Sequence, residues 1–184
     1  MLKQTFKNHL LIAMPHLNDT VFSKSVILIN EYNNNGTMGF ILNKPISKDI
    51  SSSILFSDQF NDKIKDKIYF GGPVDLNSCF ILHDESYKLD DSEFITSNLY
   101  LTSNKQIIKD IENQSGPNFF QFQIGYSGWE KGQLEKEIKN GDWLILQNPK
   151  NFIFQIPNDK KWSYLINKLG IDQSADWISS GGQA

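Results

Sequence analysis

The residues with the clearest potential for chemistry lie in Gly125–Trp129, which follows an apolar run and precedes a helical pattern. A serine between glycines at a strand-to-helix turn suggests the nucleophile elbow Gly-x-Ser-x-Gly of hydrolytic enzymes. The last position of that motif must be small, because the helix packs closely behind the serine. Trp129 occupies it here, so a tight turn anchored by Trp129 explains the stretch better than a nucleophile at Ser127.

The same stretch is a poor match to phosphate-binding loops. Its glycines fall at 125, 128 and 132, which fits neither Gly-x-Gly-x-x-Gly nor the P-loop pattern. Glu130, Glu135 and Glu137 crowd the start of the following helix, and carboxylates at a helix N-terminus repel an incoming anion. The sequence therefore favours a structural connection over a phosphate site.

An enzymatic alternative is a hydrolase that uses Ser127 or Cys79 as nucleophile and His83 as base. This chemistry requires the nucleophile and the base within roughly 3 Å of each other. Cys79 and His83 lie four residues apart, about 13 Å along a strand, which is too far to share a metal ion. We see no other ligand pair and expect neither a metal site nor another cofactor.

Composition argues against a nucleic-acid partner. The 184-residue chain has a net charge of -3, and all 18 of its basic residues are lysine. It lacks arginine, whose planar guanidinium recognises guanine edges and binds phosphate through two parallel hydrogen bonds. Direct nucleic-acid binding is therefore not expected.

The N-terminal region and the cysteine content indicate the compartment. Cys79 is the single cysteine, so no intramolecular disulfide can form, as is usual in a reducing environment. The apolar run Leu10–Met14 is too short for a signal peptide, and no stretch is long enough to cross a bilayer. We expect a cytoplasmic protein without membrane association, folded as a single domain over residues 1–184.

Hydrophobic patterning predicts more strands than helices. Continuous apolar runs predict strands covered on both faces, and Asn33-Asn34-Asn35-Gly36 predicts a hairpin with a type I′ turn. Alternating Phe and Gln predict a strand at 119–124 with one wet face. The predicted strands are Leu10–Met14, Ser25–Ile29, Met38–Leu42, Lys67–Phe70, Cys79–Leu82, Glu93–Thr102 with an interruption at 97–98, Phe119–Ile124, Trp143–Leu146 and Phe152–Phe154.

Four helices are predicted, over 47–58, 104–114, 133–140 and a last segment capped by Asn158 or Asp159 and ended by Gly170. The last helix has the strongest pattern, an i, i+3, i+4, i+7 stripe. Its members are Trp162, Leu165, Ile166 and Leu169. Hairpins mixed with helical crossovers predict an α/β fold with a mixed sheet and helices packed on it.

Four blocks of residues, in order from about residue 6 to the C-terminus, resemble the signature of the bacterial YqgE/AlgH family. The blocks are Leu10–Pro15 with Phe22, Ser25 and Val26; Gly36–Gly39 with Asn43–Pro45; Gly71–Val74 with Phe80–His83; and Gly125–Trp129 with Gly132–Glu135, Trp143 and Leu144. The chain departs from the family where Lys24 replaces the usual arginine and Gln183 the usual histidine.

The resemblance implies a single α/β domain with a mixed, largely antiparallel sheet and flanking helices. It implies no reaction, because the family has no established one. Its usual label, transcriptional regulator, derives from a genetic link to alginate production, and we interpret that link as indirect.

We therefore expect a non-enzymatic regulatory or binding protein whose partner is an unknown small molecule or protein. The family blocks are expected to converge on one polar pocket. Its candidate residues are Asn43, Lys44, Gly71, Gly72, His83, Ser127, Trp129, Gln133 and Glu135.

Overall fold

The computed structural model describes residues 5–18, 20–47, 62–96, 98–149 and 152–171. Within these ranges, nine strands form one sheet and five helices pack against it. The strands are β1 (His9–Ala13), β2 (Val26–Asn33), β3 (Gly36–Ile41), β4 (Ile68–Phe70), β5 (Val74–His83), β6 (Glu93–Thr96), β7 (Leu99–Thr102), β8 (Phe120–Glu130) and β9 (Trp143–Gln147). The helices are α1 (Asp62–Lys65), α2 (Gln106–Glu112), α3 (Gln133–Lys139), α4 (Phe152–Gln155) and α5 (Asn158–Lys168).

Strand β8 is the centre of the sheet. The strand order is β6-β7-β5-β8-β3-β2-β1-β9, and β4 also pairs with β8. The β4–β8 pairing is parallel and the others are antiparallel. The sheet is therefore mixed and largely antiparallel, which confirms the predicted fold class.

The sheet curls so that its β6 edge approaches the segment before β1. The Lys7 ammonium lies 3.0 Å from the Glu93 carboxylate, and the Asn8 side-chain amide donates to the Ile95 carbonyl at 2.7 Å. These bonds join residues that are more than eighty positions apart in the chain. The curl gives the sheet an inner face, which α4 and α5 cover, and an outer face.

Apolar side chains cover both faces of β1 and β2, as their continuous apolar runs predicted. Leu10 and Leu28 belong to the inner core, which also contains residues of α4 and α5. Leu11 and Ile27 point to the opposite face and pack with Leu134 of α3. A third cluster, on β4, β5 and β8, is covered by α1 and α2. Burial on two faces explains why these strands show no polar alternation.

Helix α5 confirms the predicted element but corrects its face and its cap. The buried residues are Lys161, Trp162, Leu165 and Ile166, whereas Leu169 is exposed. Pro157 is the N-cap residue, and no side chain caps the helix. Asn158 is not free to cap because its side chain bonds Tyr69 and Lys161 instead. None of the helices in the described ranges has the length and hydropathy needed to span a membrane.

Three other elements were predicted from the sequence: a strand at Phe152–Phe154, a helix over 47–58 and strands at Glu93–Thr102. The predicted strand Phe152–Phe154 is wrong, because these residues form helix α4 and bury Phe152 and Ile153 in the inner core. A short apolar run cannot by itself distinguish a strand from a buried helical turn. Most of the predicted helix over 47–58 lies outside the described residues. The predicted strands at Glu93–Thr102 are confirmed as β6 and β7.

The predicted hairpin between β2 and β3 forms, but its turn is not type I′. Asn33 pairs with Gly36, which leaves Asn34 and Asn35 as the connection. Neither has the positive φ that both central positions of a type I′ turn require. The Asn33 side chain instead accepts a hydrogen bond from the Asn35 backbone N–H at 2.8 Å, which stabilises a different turn.

Candidate functional site

Strand β8 continues through Gly125–Trp129, so the tight turn predicted there is wrong. The strand ends at Glu130, and Lys131 and Gly132 make the turn into α3. The cause is pairing with β3, in which Thr37 lies opposite Trp129 and Gly39 opposite Ser127. Local sequence does not reveal this pairing because its partners are about ninety residues apart.

Gly71, Gly72 and Gly125 allow two backbone segments to approach unusually closely. A Cβ on Gly71 would lie 2.3 Å from the Gly125 carbonyl oxygen, and one on Gly72 would lie 2.2 Å from the Tyr126 carbonyl carbon. Gly125 also has a φ of +65°, which side-chain-bearing residues rarely adopt. These glycines are therefore required for packing between the end of β4 and β8. Because glycine has no side chain, they offer no side-chain group to a ligand.

The structure does not bring together the residues of the hydrolase alternative. His83 pairs with Phe120, and Ser127 lies seven residues further along β8, about 23 Å away at roughly 3.3 Å per residue. Cys79 lies four residues from His83 on the same strand, about 13 Å along it. Ser127 is fully buried and donates its hydroxyl to the Gly71 carbonyl at 3.2 Å. Neither nucleophile is within reach of the histidine base.

His83 and Cys79 lie in apolar surroundings that disfavour their charged forms. Burial lowers the pKa of the His83 imidazole, an effect that its bond to the Asp84 carbonyl partly opposes. The ring stacks on Tyr100 at 5.9 Å, and its Nε2 has no hydrogen-bond partner in the described part of the chain. Burial raises the pKa of the Cys79 thiol to about 12. Both groups therefore resemble core residues rather than activated catalytic groups.

Asn43 and Lys44 hold a loop in place instead of facing a cleft. The Asn43 side chain accepts from the Val26 backbone N–H and donates to the Lys24 carbonyl, both at 2.9 Å. The Lys44 ammonium donates to the Val21 carbonyl, and burial lowers its pKa. These bonds fasten the segment before β2 to the end of β3.

Trp129 and Gln133 are joined through a shared partner, Glu137, near the start of α3. Gln133 accepts from the Glu130 backbone N–H at 3.0 Å and donates to Glu137 at 2.9 Å. The Trp129 indole N–H donates to the other oxygen of Glu137 at 2.8 Å. Sequence reasoning did not select Glu137 as a candidate, although a buried indole N–H requires an acceptor nearby.

Glu135 faces a small cavity on the other side of the hairpin. It accepts a hydrogen bond from the Tyr32 hydroxyl at 2.6 Å. This bond, with lesser contributions from burial and from the carboxylate charge, raises the pKa of Tyr32 to about 12. Both residues line a cavity of about 350 Å³ together with Thr37.

An open groove of about 600 Å³, the β3–β8 groove, lies where β3, β5 and β8 meet. Two of the nine predicted site residues, Trp129 and Gln133, line it. Sequence reasoning missed the other side chains that shape it. The most informative of these are Glu31, Met38, Val74, Tyr126 and Glu130.

The β3–β8 groove is acidic and partly apolar. Glu31 and Glu130 carry its charge, and no lysine is among its described lining residues. Val74 in the groove and the nearby Leu76 are exposed, with 52% of Leu76 accessible. The pairing of β5 with β8 is irregular between Val74, which lies opposite Tyr126, and Cys79, and Leu76 falls in this irregular stretch beside Val74. Among the described residues, no group of three or more His, Cys, Asp or Glu converges to hold a metal ion.

The fold places this chain in a known structural class. Two solved structures share its curled, largely antiparallel sheet with helices on both faces. The solution structure of the AlgH protein from Pseudomonas aeruginosa matches with a TM-score of 0.72 and 28% identity, covering 99% of this chain and 100% of that one. The crystal structure of protein DIP2367 from Corynebacterium diphtheriae, with 20% identity, shares the fold at a TM-score of 0.70 and covers 90% and 88% of the two chains.

Sequence comparison identifies the family. The profile of the AlgH-like family matches residues 10–174, and the chain belongs to this family. A UPF0301 protein of Pseudoalteromonas translucida is 34% identical over 175 residues, covering 93% of this chain and 95% of the relative. A UPF0301 protein of Cupriavidus pinatubonensis is 38% identical over 168 residues, covering 90% and 88%. The resemblance stated from the sequence is confirmed, and the family is one of uncharacterised function.

Proposed function

We propose that this protein is a non-enzymatic regulatory protein that binds a partner protein through the β3–β8 groove. One observation carries the proposal: three motif blocks that are distant in sequence meet at this groove. Gly36–Gly39 pairs with Ser127–Glu130, and Val74 pairs with Tyr126. Motifs that only formed local turns would be expected at separate places on the molecule, so their meeting at one open surface indicates a shared role in binding.

The chemistry of the groove supports a basic, partly apolar segment as its occupant. Glu31 and Glu130 attract lysine or arginine side chains, and the face of Tyr126 can accept a cation. Val74 and Leu76 offer apolar surface beside these charges. An extended segment with alternating basic and apolar side chains matches both features.

A protein partner also accounts for the regulatory label better than DNA does. The groove carries carboxylates, which repel phosphate, and the whole chain has a net charge of -3 and no arginine. Such a protein would influence transcription indirectly, through the protein that it binds.

Fluorescence anisotropy with short labelled probes tests the proposal. The probes are a peptide with alternating lysine and leucine, the same peptide with glutamate in place of lysine, and duplex DNA. We expect saturable binding of the lysine peptide alone. The double variant Glu31→Lys with Glu130→Lys should weaken that binding by at least about tenfold, because it reverses the charge of the groove.

Glu85→Lys with Glu112→Lys is the matched control, since it also reverses two charges, and both residues are exposed and lie outside the groove lining. It should bind like the wild type. Equal binding of the lysine and glutamate peptides, or equal losses in the control and the groove variant, would contradict the proposal. DNA binding that is tighter than peptide binding and weakens steeply with salt would instead favour direct regulation.

A further inference from the structure

A second cavity, of about 290 Å³, lies between α5 and the inner face of the sheet. Its volume is at the lower end of the range for small-molecule pockets. Its described lining residues include Lys67 and Lys161 but no carboxylate. Phe119, Phe154 and Ile153 supply apolar walls. The cavity therefore combines a cationic interior with an apolar surface.

Lys161 is the unusual residue of this cavity, because only 1% of it is exposed. Its ammonium donates to the Ile156 carbonyl at 2.8 Å and to Asn158 Oδ1 at 2.7 Å. Both acceptors are neutral, and the third N–H of the ammonium has no acceptor among the described residues. A buried charge without a counter-ion is costly, and burial lowers the pKa of Lys161 to about 8.

Uncharged polar side chains from β4 and β8 lie beside Lys161 in this cavity. Asn158 donates to the Tyr69 hydroxyl at 3.0 Å, which ties β4 to the same bond network. Gln121 lines the cavity, and its amide oxygen accepts a hydrogen bond from the side-chain amide of Gln123, the next residue on that face of β8, at 3.2 Å. The sequence predicted a wet face for these two glutamines, but both are buried. Such buried polar groups favour a polar ligand over an apolar one.

We propose that this cavity binds a small organic carboxylate, with the carboxylate on the Lys161 ammonium and the apolar part against Phe119 and Phe154. A single negative charge balances the one buried ammonium. The side-chain NH2 group of a lining amide such as Gln121 can donate to the remaining carboxylate lone pairs. This site is separate from the β3–β8 groove and does not depend on the function proposed for it.

The test uses the full chain, labelled with ¹⁵N, and three probes: benzoate, the neutral isostere benzamide, and inorganic phosphate. We expect benzoate to give saturable chemical-shift changes at residues 118–121 and 156–161. Benzamide and phosphate should give no saturable change there. Saturation with benzamide would show that charge is not recognised, and equal saturation with phosphate would overturn the carboxylate class.

Lys161→Met should weaken benzoate binding by at least about tenfold, since it removes the charge-assisted bond. Lys160→Met is the matched control, because Lys160 is exposed and pairs with Asp159. It should leave the affinity unchanged. If Lys161→Met fails to fold, Asn158→Asp provides the same test with a residue of equal size. Its carboxylate would neutralise Lys161 and compete with benzoate, so unaltered binding in this variant would overturn the proposal.

The pH dependence of benzoate affinity separates a direct role of Lys161 from a structural one. The titratable side chains that line the cavity beside it are Lys67 and Tyr69. The affinity should be constant up to about pH 7 and then fall, approaching tenfold per pH unit above the Lys161 pKa of about 8. Benzoate stays ionised over this range, so an affinity that does not change up to about pH 9.5 would overturn the proposal.

Discussion

The indole N–H groups of Trp129 and Trp143 donate to the same atom, Oε2 of Glu137, at 2.8 Å each. Three strands separate the two tryptophans in the order of the sheet, yet their rings meet edge to face with centroids 5.9 Å apart. Helix α3 supplies the shared acceptor across the outer face. One carboxylate therefore couples the end of β8 to β9.

Replacing Glu137 by leucine should lower the free energy of unfolding by about 1–3 kcal/mol, because it leaves buried indole donors without an acceptor. Glu137→Gln keeps one acceptor oxygen and should cost less. Urea denaturation followed by tryptophan fluorescence measures both. Glu112→Leu, at an exposed position of α2, should stay within about 0.5 kcal/mol of the wild type. Equal values for Glu137→Leu and Glu112→Leu would rule out the role of the shared acceptor.

Gly72→Ala should destabilise the protein by more than about 3 kcal/mol or prevent folding, because its Cβ would lie 2.2 Å from the Tyr126 backbone. Gly128→Ala is the control. Gly128 lies on β8 two residues from Tyr126, but its Cβ would have its nearest contact at 3.5 Å, an ordinary packing distance. We expect Gly128→Ala to unfold within a few degrees of the wild type. Similar melting temperatures for the two variants would contradict the close approach of β4 and β8.

Stability should fall at acid pH through His83. Because burial lowers its pKa in the folded state, the unfolded chain takes up a proton first as the pH falls below the usual value of 6.5. The stabilisation is therefore present above about pH 6.5 and is lost toward the lower folded-state pKa, at no more than about 1.4 kcal/mol per pH unit.

His83→Phe keeps a ring stacked on Tyr100 but has no titratable nitrogen. The difference in unfolding free energy between the wild type and this variant, measured by urea denaturation, should therefore change between about pH 6.5 and pH 5. The comparison at about pH 8 gives the packing cost of the substitution alone. A difference that is constant over the whole range would exclude His83 as the source of the acid sensitivity.

Glu135→Gln should move the pKa of Tyr32 from about 12 toward its ordinary value of 10.0, because it removes the charged acceptor of the tyrosine hydroxyl. Ultraviolet titration of tyrosinate absorbance measures this change. Tyr32→Phe identifies the transition by removing it. If Glu135→Gln leaves the titration curve unchanged, the hydrogen bond between Tyr32 and Glu135 is absent in solution.

Much of the fold could be predicted because its signals are local. The periodicity of Trp162, Leu165 and Ile166 places a helix against the core, and the apolar runs of β1 and β2 indicate strands covered on both faces. The order of the motif blocks was sufficient to identify the family. The helix and strand signals depend on residues within one or two turns of each other, where side-chain periodicity and steric preferences act directly.

The candidate site was harder to predict because it depends on strand register. Whether His83 could reach Ser127 depended on the pairing of β5 with β8, which sets them about 23 Å apart. The same pairing, together with that of β3, keeps Gly125–Trp129 in a strand although its glycines suggest a turn. No local pattern encodes a partner that is tens of residues away.

The sequence by itself determined most of the element types, although not those of Phe152–Phe154 and Gly125–Trp129, and it determined the sheet-with-helices class and the family. Only the tertiary structure decided which polar residues are buried and which face a groove. Helix α5 is oriented so that Lys161, and not Leu169, faces the inner side of the sheet, and this orientation buries Lys161. That orientation depends on the packing of α5 against a curled sheet whose β6 edge is joined to the segment before β1, more than eighty positions away in the chain. Such long-range geometry determines the β3–β8 groove and the cavity at Lys161, in which we propose binding.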